Sequence, residues 1–231
     1  MADALDMSGR VVIVTGGGKG IGRGITERFL AAGADAVICG RNEPEALPEA
    51  GGRRAVFVAA DVRDADQADR VVQAAVDRFG RLDVLVNNAG GSPPADAAAA
   101  SPRFSAAIIT LNLIAPLTLA QRANRIMQGQ ESGGAIINIA SVSGTRPSPG
   151  TAAYGAAKAG LLNLTQTLAV EWAPKVRVNA ITAAMPADVA DVCLFLASPL
   201  ARYVTGASIL VHGGGERPAF LAAASRGKKT D

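Results

Sequence analysis

The chain has 231 residues, of which 49% are hydrophobic, with 23 Lys and Arg against 20 Asp and Glu. This length allows one large domain or two small ones, and the scattered net charge of +3, with no dense basic block before Arg226–Lys229, does not indicate a nucleic-acid partner. No apolar run reaches the roughly 18 residues of a membrane span, the acidic N-terminus is unlike a signal peptide, and the two cysteines fit no metal-binding spacing. These features together predict a cytoplasmic protein with no membrane partner.

The first recognisable unit is a strand, a glycine-rich loop and a helix. The run VVIV at 11–14 lacks polar alternation and predicts a strand buried on both faces. The loop TGGGKGIG at 15–22 follows, and apolar residues then recur at helical spacing. This order is the context of a dinucleotide-binding turn, in which Gly16 permits the tight turn, Gly20 lets the backbone approach a pyrophosphate and Gly22 allows close packing of the helix on the strand. The start of the helix would offer free N–H groups to the phosphates.

The end of the second strand, AVIC at 36–39, bears on the choice between NAD and NADP. An acidic residue about 20 positions after the glycine turn would accept a hydrogen bond from the ribose 2′-OH of NAD. Gly40 and Arg41 stand there instead, and Arg41 suits a 2′-phosphate through bidentate contacts. Lys19, in the glycine loop, could reach the same phosphate. We predict NADP as the cofactor, with NAD as the alternative.

Strands and helices alternate through the rest of the chain. The pattern predicts further strands at 55–60, 82–86, 135–140, 177–181 and 208–211. It predicts further helices at 64–80, 104–128, 154–172 and 189–196, with a kink at Pro116. Right-handed crossovers between such strands give an α/β fold in which a doubly wound parallel sheet of seven strands carries helices on both faces. The whole chain, 1–231, is predicted to be one domain.

Polar residues stand at the carboxyl ends of several predicted strands, the edge at which open α/β sheets bind ligands. Asp61 follows the third strand, the NNAG turn at 87–90 follows the fourth, and Ser141 follows the fifth. Asn112 interrupts the apolar face of a predicted helix, where it is either a satisfied core group or a site residue. The loop at 91–102 lies beside the presumed cofactor edge.

Tyr154 and Lys158 are four residues apart, which places both side chains on one face of a helix, one turn apart. A neighbouring ammonium favours the phenolate, so Lys158 is expected to lower the pKa of Tyr154 from its ordinary value near 10. A phenol adjusted in this way can act as a general acid or base near neutral pH. The alternative is an ordinary helix with a half-buried Tyr and a solvated Lys.

In their order and spacing, these motifs resemble the short-chain dehydrogenase/reductase family, and in particular its 3-oxoacyl-[acyl-carrier-protein] reductase and alcohol dehydrogenase branch. The resemblance rests on TGGGKGIG, Asp61–Val62, NNAG, Asn112, Ser141, YGAAK at 154–158 and RVNAI at 177–181, and it runs from about Arg10 to Gly215. It implies a Rossmann fold, assembly into homotetramers or homodimers, and hydride transfer between the nicotinamide cofactor and a small-molecule carbonyl or alcohol substrate.

The resemblance also implies roles for individual residues. Tyr154 would transfer a proton to or from the substrate oxygen, Ser141 would hydrogen-bond that oxygen, and Lys158 would hold the nicotinamide ribose. Asn112 would hold a water that links Lys158 to solvent, Asp61 would contact the adenine, and the turn at Asn87 would support the central sheet. The predicted catalytic residues are Asn112, Ser141, Tyr154 and Lys158. The predicted cofactor-binding residues are Gly16, Gly18, Lys19, Gly20, Ile21, Gly22, Arg41, Asp61, Val62, Asn88, Ala89, Gly90, Tyr154 and Lys158, and no metal site is predicted.

The chain departs from the family pattern at two places. After the sixth strand the family has Pro-Gly and a long excursion that covers the substrate, whereas ITAAMPAD at 181–188 leads straight towards the next helix. The substrate lid is therefore either absent or disordered near 182–187. His212 replaces the Asp that commonly precedes a Gly pair, and a structural or interface role is favoured. The C-terminal tail, 216–231, is expected to be mobile at its tip.

Two functions from different classes follow. The leading hypothesis is an NADP-dependent oxidoreductase that interconverts a ketone or aldehyde and an alcohol. The alternative is a cofactor-binding sensor or scaffold without turnover on the same fold. The intact Ser141, Tyr154, Lys158 and Asn112 argue against the second hypothesis, while a truly absent lid would argue for it. An epimerase or dehydratase of the wider family is disfavoured because those enzymes carry a larger C-terminal substrate domain.

Overall fold

In the computed structural model, which describes residues 4–183 and 189–213, strands and helices alternate along the chain. The strands are β1 (Val11–Thr15), β2 (Asp35–Gly40), β3 (Glu49–Ala50), β4 (Arg53–Arg54), β5 (Val56–Ala59), β6 (Val84–Asn87), β7 (Gly134–Ser141), β8 (Val176–Ala183) and β9 (Ser208–Val211). The helices are α1 (Gly20–Ala31), α2 (Ala65–Phe79), α3 (Pro102–Ile109), α4 (Ala115–Gly129), α5 (Ala152–Trp172) and α6 (Val189–Ala197). A π-helical turn, Thr110–Ile114, joins α3 to α4, and short 3-10 turns, Val142–Gly144 and Pro199–Ala201, follow β7 and α6.

Seven of the strands form one sheet in the order β5-β2-β1-β6-β7-β8-β9, and every neighbouring pair is parallel. The predicted doubly wound, seven-stranded parallel sheet is therefore confirmed. The strand order reverses between β1 and β6. The chain first adds β2 and β5 on one side of β1, and then adds β6, β7, β8 and β9 in turn on its other side. Such a switch point leaves a crevice at the carboxyl ends of the strands, where doubly wound sheets bind ligands.

Helices cover both faces of the sheet, and each face has its own core. On one face, α1 and α6 pack around Phe29 and Leu194. On the other face, α2, α4 and α5 pack around Val71, Leu119 and Leu168. All five residues of β1 are buried as a result, which confirms the expectation drawn from its unbroken β-branched run.

A small hairpin and a strand boundary differ from the prediction. β3 and β4 form a separate antiparallel pair joined by Gly51 and Gly52, both with positive φ, as a type I′ turn requires; strands of two residues leave too short a pattern to detect. Leu82, predicted to begin the fourth strand, lies before β6. Its N–H and C=O are instead bonded by the side chain of Gln130, each at 2.9 Å.

The helix predicted over 104–128 contains the π-helical turn Thr110–Ile114. Pro116 lies just after this turn, in the first turn of α4, where a missing N–H is tolerated. The kink predicted at Pro116 stays a prediction, and the irregularity found in this helix is the π turn before Pro116. Asn112 lies at the centre of the turn and is fully buried.

The segment Pro102–Gly129 is also the one stretch of the described residues that is helical, long and apolar enough, by length and composition, to cross a membrane. Leu119, Ala123 and Met127 belong to one of the two cores and are at most 1% exposed. We therefore interpret the segment as a core helix of a globular domain. Such a helix can be as long and as apolar as a membrane-spanning helix.

Two sequence predictions fall outside the described residues. The lid predicted near 182–187 overlaps residues 184–188, which separate the end of β8 from the start of α6. The tail predicted at 216–231 follows Gly213, the last described residue.

Asp83 ties β1 to β6 at the end of the sheet opposite the switch-point crevice. The residue is 4% exposed, and its carboxylate accepts hydrogen bonds from Nη1 of Arg10 at 2.8 Å, Nη2 of Arg81 at 2.6 Å and the N–H of Val11 at 2.9 Å. Burial alone would raise the pKa of Asp83, but the hydrogen bonds from Arg81, Arg10 and Val11 together outweigh it and hold the pKa below its usual value.

Replacing Asp83 with Asn should lower the free energy of unfolding by about 2 kcal/mol at pH 7, since charged hydrogen bonds to two partly exposed arginines become neutral ones. A carboxylate with a lowered folded-state pKa stabilises the protein above its unfolded pKa near 4, and this contribution is lost as the pH falls through the folded value. The difference between the two proteins, measured by urea unfolding, should therefore shrink at about pH 3.

Asp69→Asn serves as the control, because Asp69 pairs with Arg122 but its own side chain is 61% exposed. This change should cost less than about 0.5 kcal/mol. Equal losses for the two variants at pH 7 would contradict the importance assigned to Asp83.

Candidate active site

A cleft of about 960 Å³ lies along the carboxyl ends of the strands at the switch point. This volume is near the upper end of the roughly 300–1,000 Å³ that ligand pockets commonly occupy. The predicted cofactor-binding residues all line it: Gly16, Gly18, Lys19, Gly20, Ile21, Gly22, Arg41, Asp61, Val62, Asn88, Ala89, Gly90, Tyr154 and Lys158. The predicted catalytic residue Ser141 also lines the cleft, whereas Asn112 does not.

The glycine loop has the backbone geometry that a phosphate-binding turn needs. Gly16 and Gly20 have φ values of +65° and +54°, in the left-handed region that favours glycine. Gly22 is required for a different reason, because a Cβ there would lie 2.4 Å from the carbonyl O of Gly16 and 2.5 Å from Nδ2 of Asn88. The close approach predicted at Gly22 is therefore to the loop and to Asn88 rather than to the body of the strand.

The start of α1 offers donors to this end of the cleft. Lys19 is the N-cap residue and makes no side-chain capping bond among the described residues, so the first N–H groups of the helix have no side-chain partner there. Lys19, Gly20 and Ile21 face the cleft. A helix N-terminus of this kind attracts anions, and the residues present fit the pyrophosphate of a dinucleotide.

Thr15, which the sequence interpretation did not single out, joins the glycine loop to the NNAG turn. Its buried Oγ1 accepts hydrogen bonds from the N–H groups of Asn88 and Ala89, both at 2.9 Å. In return, Nδ2 of Asn88 donates to the carbonyl O of Thr15 at 2.8 Å. Thr15 could have been found from the sequence, because it is a hydroxyl residue between a buried strand and a glycine loop. The two loops that border the cleft are thereby held together.

An ion pair that the sequence interpretation missed lies at the end of the cleft formed by β2 and β5. Nε of Arg63 donates to both carboxylate oxygens of Asp61, at 2.9 and 3.1 Å. These hydrogen bonds are the main reason that the pKa of Asp61 is lowered, and the charge of Arg41 contributes in the same direction. Asp61, Arg41 and Arg63 all line the cleft. This ion pair could have been found from the sequence, because an Arg follows two residues after the Asp at the end of a strand.

Ser141 and Tyr154 meet on the wall of the cleft because α5 packs against β7. The Ser141 side chain is close enough to the Tyr154 phenol to act on its pKa. Lys158, one turn further along α5 and 4% exposed, lies with Nζ 5.6 Å from the centre of the Tyr154 ring. Its ammonium donates to the carbonyl O of Ile139 at 2.7 Å. The fold thus brings together three of the four predicted catalytic residues.

The expected lowering of the pKa of Tyr154 is wrong for this structure. Burial raises the pKa, and the Ser141 side chain opposes the change without cancelling it. Burial also disfavours the charge of Lys158 and lowers the pKa of its ammonium to about 8. The phenol is therefore protonated at neutral pH, which is the state required of a general acid.

Asn112 supports the cleft from behind. Its Oδ1 accepts from the N–H of Gly91 at 2.9 Å, and its Nδ2 donates to the carbonyl oxygens of Gly91 and Ile108 at 3.0 and 2.9 Å. A Cβ at Gly90 would lie 2.7 Å from Oδ1 of Asn112 and 3.4 Å from Nζ of Lys158. Asn112 is therefore a close neighbour of Lys158, but its side chain is already bonded to the backbone.

A buried chain of amides and one hydroxyl connects the sheet to the helix that carries the site. Nδ2 of Asn87 donates to Oδ1 of Asn138 at 2.9 Å, which links the register partners of β6 and β7. Nδ2 of Asn138 donates in turn to Oγ1 of Thr165 on α5, also at 2.9 Å. Asn87 thus has the sheet-supporting position implied by the sequence motif, and Asn138 and Thr165 extend that support to α5.

Comparison with known proteins identifies the class of this fold and site. The family model described as short chain dehydrogenase matches residues 10–189. The chain belongs to the short-chain dehydrogenase/reductase family, a family of oxidoreductases, as its motifs predicted. A solved structure from Sinorhizobium meliloti, described as a short-chain alcohol dehydrogenase, superimposes with a TM-score of 0.84 at 32% identity, covering 95% of this chain and 99% of that one.

Individual relatives cover nearly the whole chain. An uncharacterized oxidoreductase of Mycobacterium tuberculosis is 34% identical over 92% of this chain and 94% of its own length. The 3-oxoacyl-[acyl-carrier-protein] reductase of Synechocystis is 33% identical over 90% and 97%. The L-rhamnose 1-dehydrogenase (NAD(P)(+)) of Azotobacter vinelandii is 36% identical over 89% and 96%. The first two alignments extend over 247 and 241 positions, whereas this chain has 231 residues, so both contain positions without a counterpart here.

Replacing Gly22 with Ala should weaken binding of a nicotinamide dinucleotide, NADP or NAD, at least about 30-fold, because the added methyl group overlaps the carbonyl of Gly16 and the amide of Asn88 and forces the glycine loop to move. Titration calorimetry would measure the dissociation constant, and circular dichroism would confirm that the helix content is kept.

Gly24→Ala is the matched control, since it lies in the same helix and a Cβ there meets nothing within 4 Å. It should leave the affinity unchanged and stabilise the helix by up to about 1 kcal/mol. Unchanged affinity in Gly22→Ala as well would show that the loop does not hold the dinucleotide.

Proposed function

We propose that the chain is an NADP(H)-dependent oxidoreductase that interconverts a ketone or aldehyde and an alcohol, with Tyr154 as the general acid or base. The neighbouring hydroxyls of Ser141 and Tyr154 on the wall of the cleft carry this proposal. Membership of an oxidoreductase family supports the reaction type, and the cations Lys19 and Arg41 at the same cleft support the choice of cofactor.

A nicotinamide dinucleotide supplies the hydride when it is bound. In the direction of reduction, the remaining requirement is a proton for the substrate oxygen as the neighbouring carbon gains hydrogen. The raised pKa of Tyr154 keeps its phenol protonated at neutral pH. Tyr154 would donate the proton, and the Ser141 hydroxyl would stabilise the developing charge on the same oxygen.

In this proposal Lys158 binds the cofactor. An ammonium has three N–H donors, and one of them is used on the carbonyl of Ile139. No other hydrogen bond from Nζ is found within 4–183 and 189–213, and Lys158 lines the cleft, where we propose that the remaining donors hold the hydroxyls of the nicotinamide ribose. Asn112 would act by fixing Gly90 and Gly91 beside Lys158, and a water held there remains a prediction.

The preference for NADP rests on charge at the far end of the cleft. No carboxylate occupies the end of β2 at the position where an acid would bind the ribose 2′-OH. Arg41 stands there, with Lys19 in the glycine loop facing the same cleft. NAD is the alternative cofactor.

We propose further that residues 1–231 act as one domain, in a cytoplasmic homotetramer or homodimer. Large apolar side chains on the surface, including Val170 at 81% and Leu200 at 54% exposed, support an assembly that would cover them. The sensor or scaffold alternative is not favoured, since the proton-handling groups meet at the cleft.

Replacing Tyr154 with Phe should reduce turnover by about 100- to 1,000-fold, because the ring is kept and the proton donor is lost. NADPH oxidation with a panel of ketones and aldehydes would measure the rate, and the dissociation constant of NADPH should change less than about twofold. Tyr203→Phe, at a 98% exposed position, should leave both quantities unchanged. An undiminished rate in Tyr154→Phe would refute the mechanism. Tight NADPH binding by the unmodified chain without turnover of any carbonyl would favour the sensor instead.

Replacing Arg41 with Asp should weaken NADP binding by at least about tenfold and improve NAD binding, since the acid repels a 2′-phosphate and accepts from a 2′-OH. Arg54→Asp makes the same change of net charge on β4, which does not line the cleft, and should leave the ratio of the two affinities unchanged. Equal shifts in both variants would mean that Arg41 acts only through long-range charge.

A further inference from the structure

The adenosine end of the cleft contains a carboxylate, Asp61, beside the cations proposed to bind the 2′-phosphate. Gly40 and Ala59 are register partners of β2 and β5, and the N–H of Ala60 continues the pairing to the carbonyl of Gly40 at 2.9 Å. Arg41 and Asp61 therefore leave the sheet from neighbouring strands, which lie about 4.8 Å apart. The charges of Arg41 and Asp61 act on each other, so an unpaired Asp61 carboxylate would compete with a phosphate dianion for the Arg41 guanidinium.

Arg63 forms an ion pair with the Asp61 carboxylate. Its guanidinium donates to both oxygens of Asp61 through Nε, and Nη2 adds a third bond at 2.5 Å to Oδ2. The backbone N–H of Arg63 also donates to Oδ1 of Asp61 at 3.1 Å. A planar guanidinium fits a carboxylate in this geometry better than an ammonium would.

The start of α2 holds the pair in place. Oε1 of Gln67 accepts from the N–H of Asp61 at 2.9 Å. Asp64 caps the same helix by accepting from the N–H groups of Asp66 and Gln67 at 2.9 and 3.1 Å. The turn that carries Asp61 and Arg63 is thus fixed to the helix before any ligand arrives, so the charge neutralisation is preorganised.

We propose that Arg63 is a specificity-determining residue that makes the chain select NADP by neutralising Asp61, which leaves the charges of Lys19 and Arg41 available to the 2′-phosphate. This inference rests on the proposed use of NADP. Asp61 already accepts four hydrogen bonds from Arg63, about as many as a carboxylate can accept, and any contact of this turn with the adenine is common to NAD and NADP. The ratio of the two affinities therefore isolates the effect of charge at the 2′ position.

A double-mutant cycle with Arg63→Ala and Asp61→Asn tests the proposal through binding alone. The dissociation constants of NADP and NAD would be measured by calorimetry for the unmodified chain, both single variants and the double variant. Arg63→Ala should reduce the preference for NADP by about tenfold or more, because it exposes the Asp61 carboxylate. In the double variant the Asp61 carboxylate is gone, while Glu43, which also lines the cleft, is the same in all four proteins, so the preference should return to within about threefold of the original.

The outcomes separate this inference from the cofactor assignment. An equal loss of preference when Arg63 is removed from either background would overturn the proposal, because Arg63 would then contact the phosphate directly. An unchanged preference in Arg63→Ala would also overturn it. If the unmodified chain itself showed no preference for NADP, the proposed cofactor would be wrong. Arg70→Ala removes a positive charge from α2 outside the cleft and should leave the ratio unchanged.

Discussion

The reversal of strand order between β1 and β6 is the constraint on which the site depends. Parallel strands on either side of this point send their following loops in opposite directions, and the loops leave a crevice between them. The crevice stays a binding site because Thr15, the last residue of β1, bonds the backbone of the NNAG turn after β6. The buried Asp83 performs the corresponding task at the other end of the same two strands.

Burial determines the protonation states in the catalytic region. Removing Tyr154 and Lys158 from water disfavours the charged form of each, which raises one pKa and lowers the other. The two pKa values, which are ordinarily close together, therefore move apart, and the Tyr154 phenol holds its proton more tightly than the Lys158 ammonium does. Charge at the adenosine end is governed differently, because Asp61 is partly exposed and its charge is balanced by a neighbouring guanidinium rather than suppressed.

Much of the fold was predictable because parallel strands covered on both faces leave unbroken β-branched runs, such as VVIV at 11–14. The residues that line the cleft were predictable for a related reason, since they follow the strands directly and the fold gathers strand ends at one edge. The π turn around Asn112 and the hairpin of β3 and β4 were not predictable. The first lies within a single predicted helix, and the second depends on two strands of only two residues each.

The sequence by itself determined the α/β class, the order of the elements, the glycine loop and the Tyr154–Lys158 spacing, because each is encoded by residues close together in the chain. Only the tertiary structure decided that Gly22 packs closely against Asn88 and that the Asn112 side chain is hydrogen-bonded to Gly91 and Ile108. Only the tertiary structure also decided that Arg63 forms an ion pair with Asp61, the carboxylate beside Arg41. Only the tertiary structure also reversed the expected pKa shift of Tyr154. These properties depend on burial and on contacts between distant segments, and neither quantity has a local signature in the sequence.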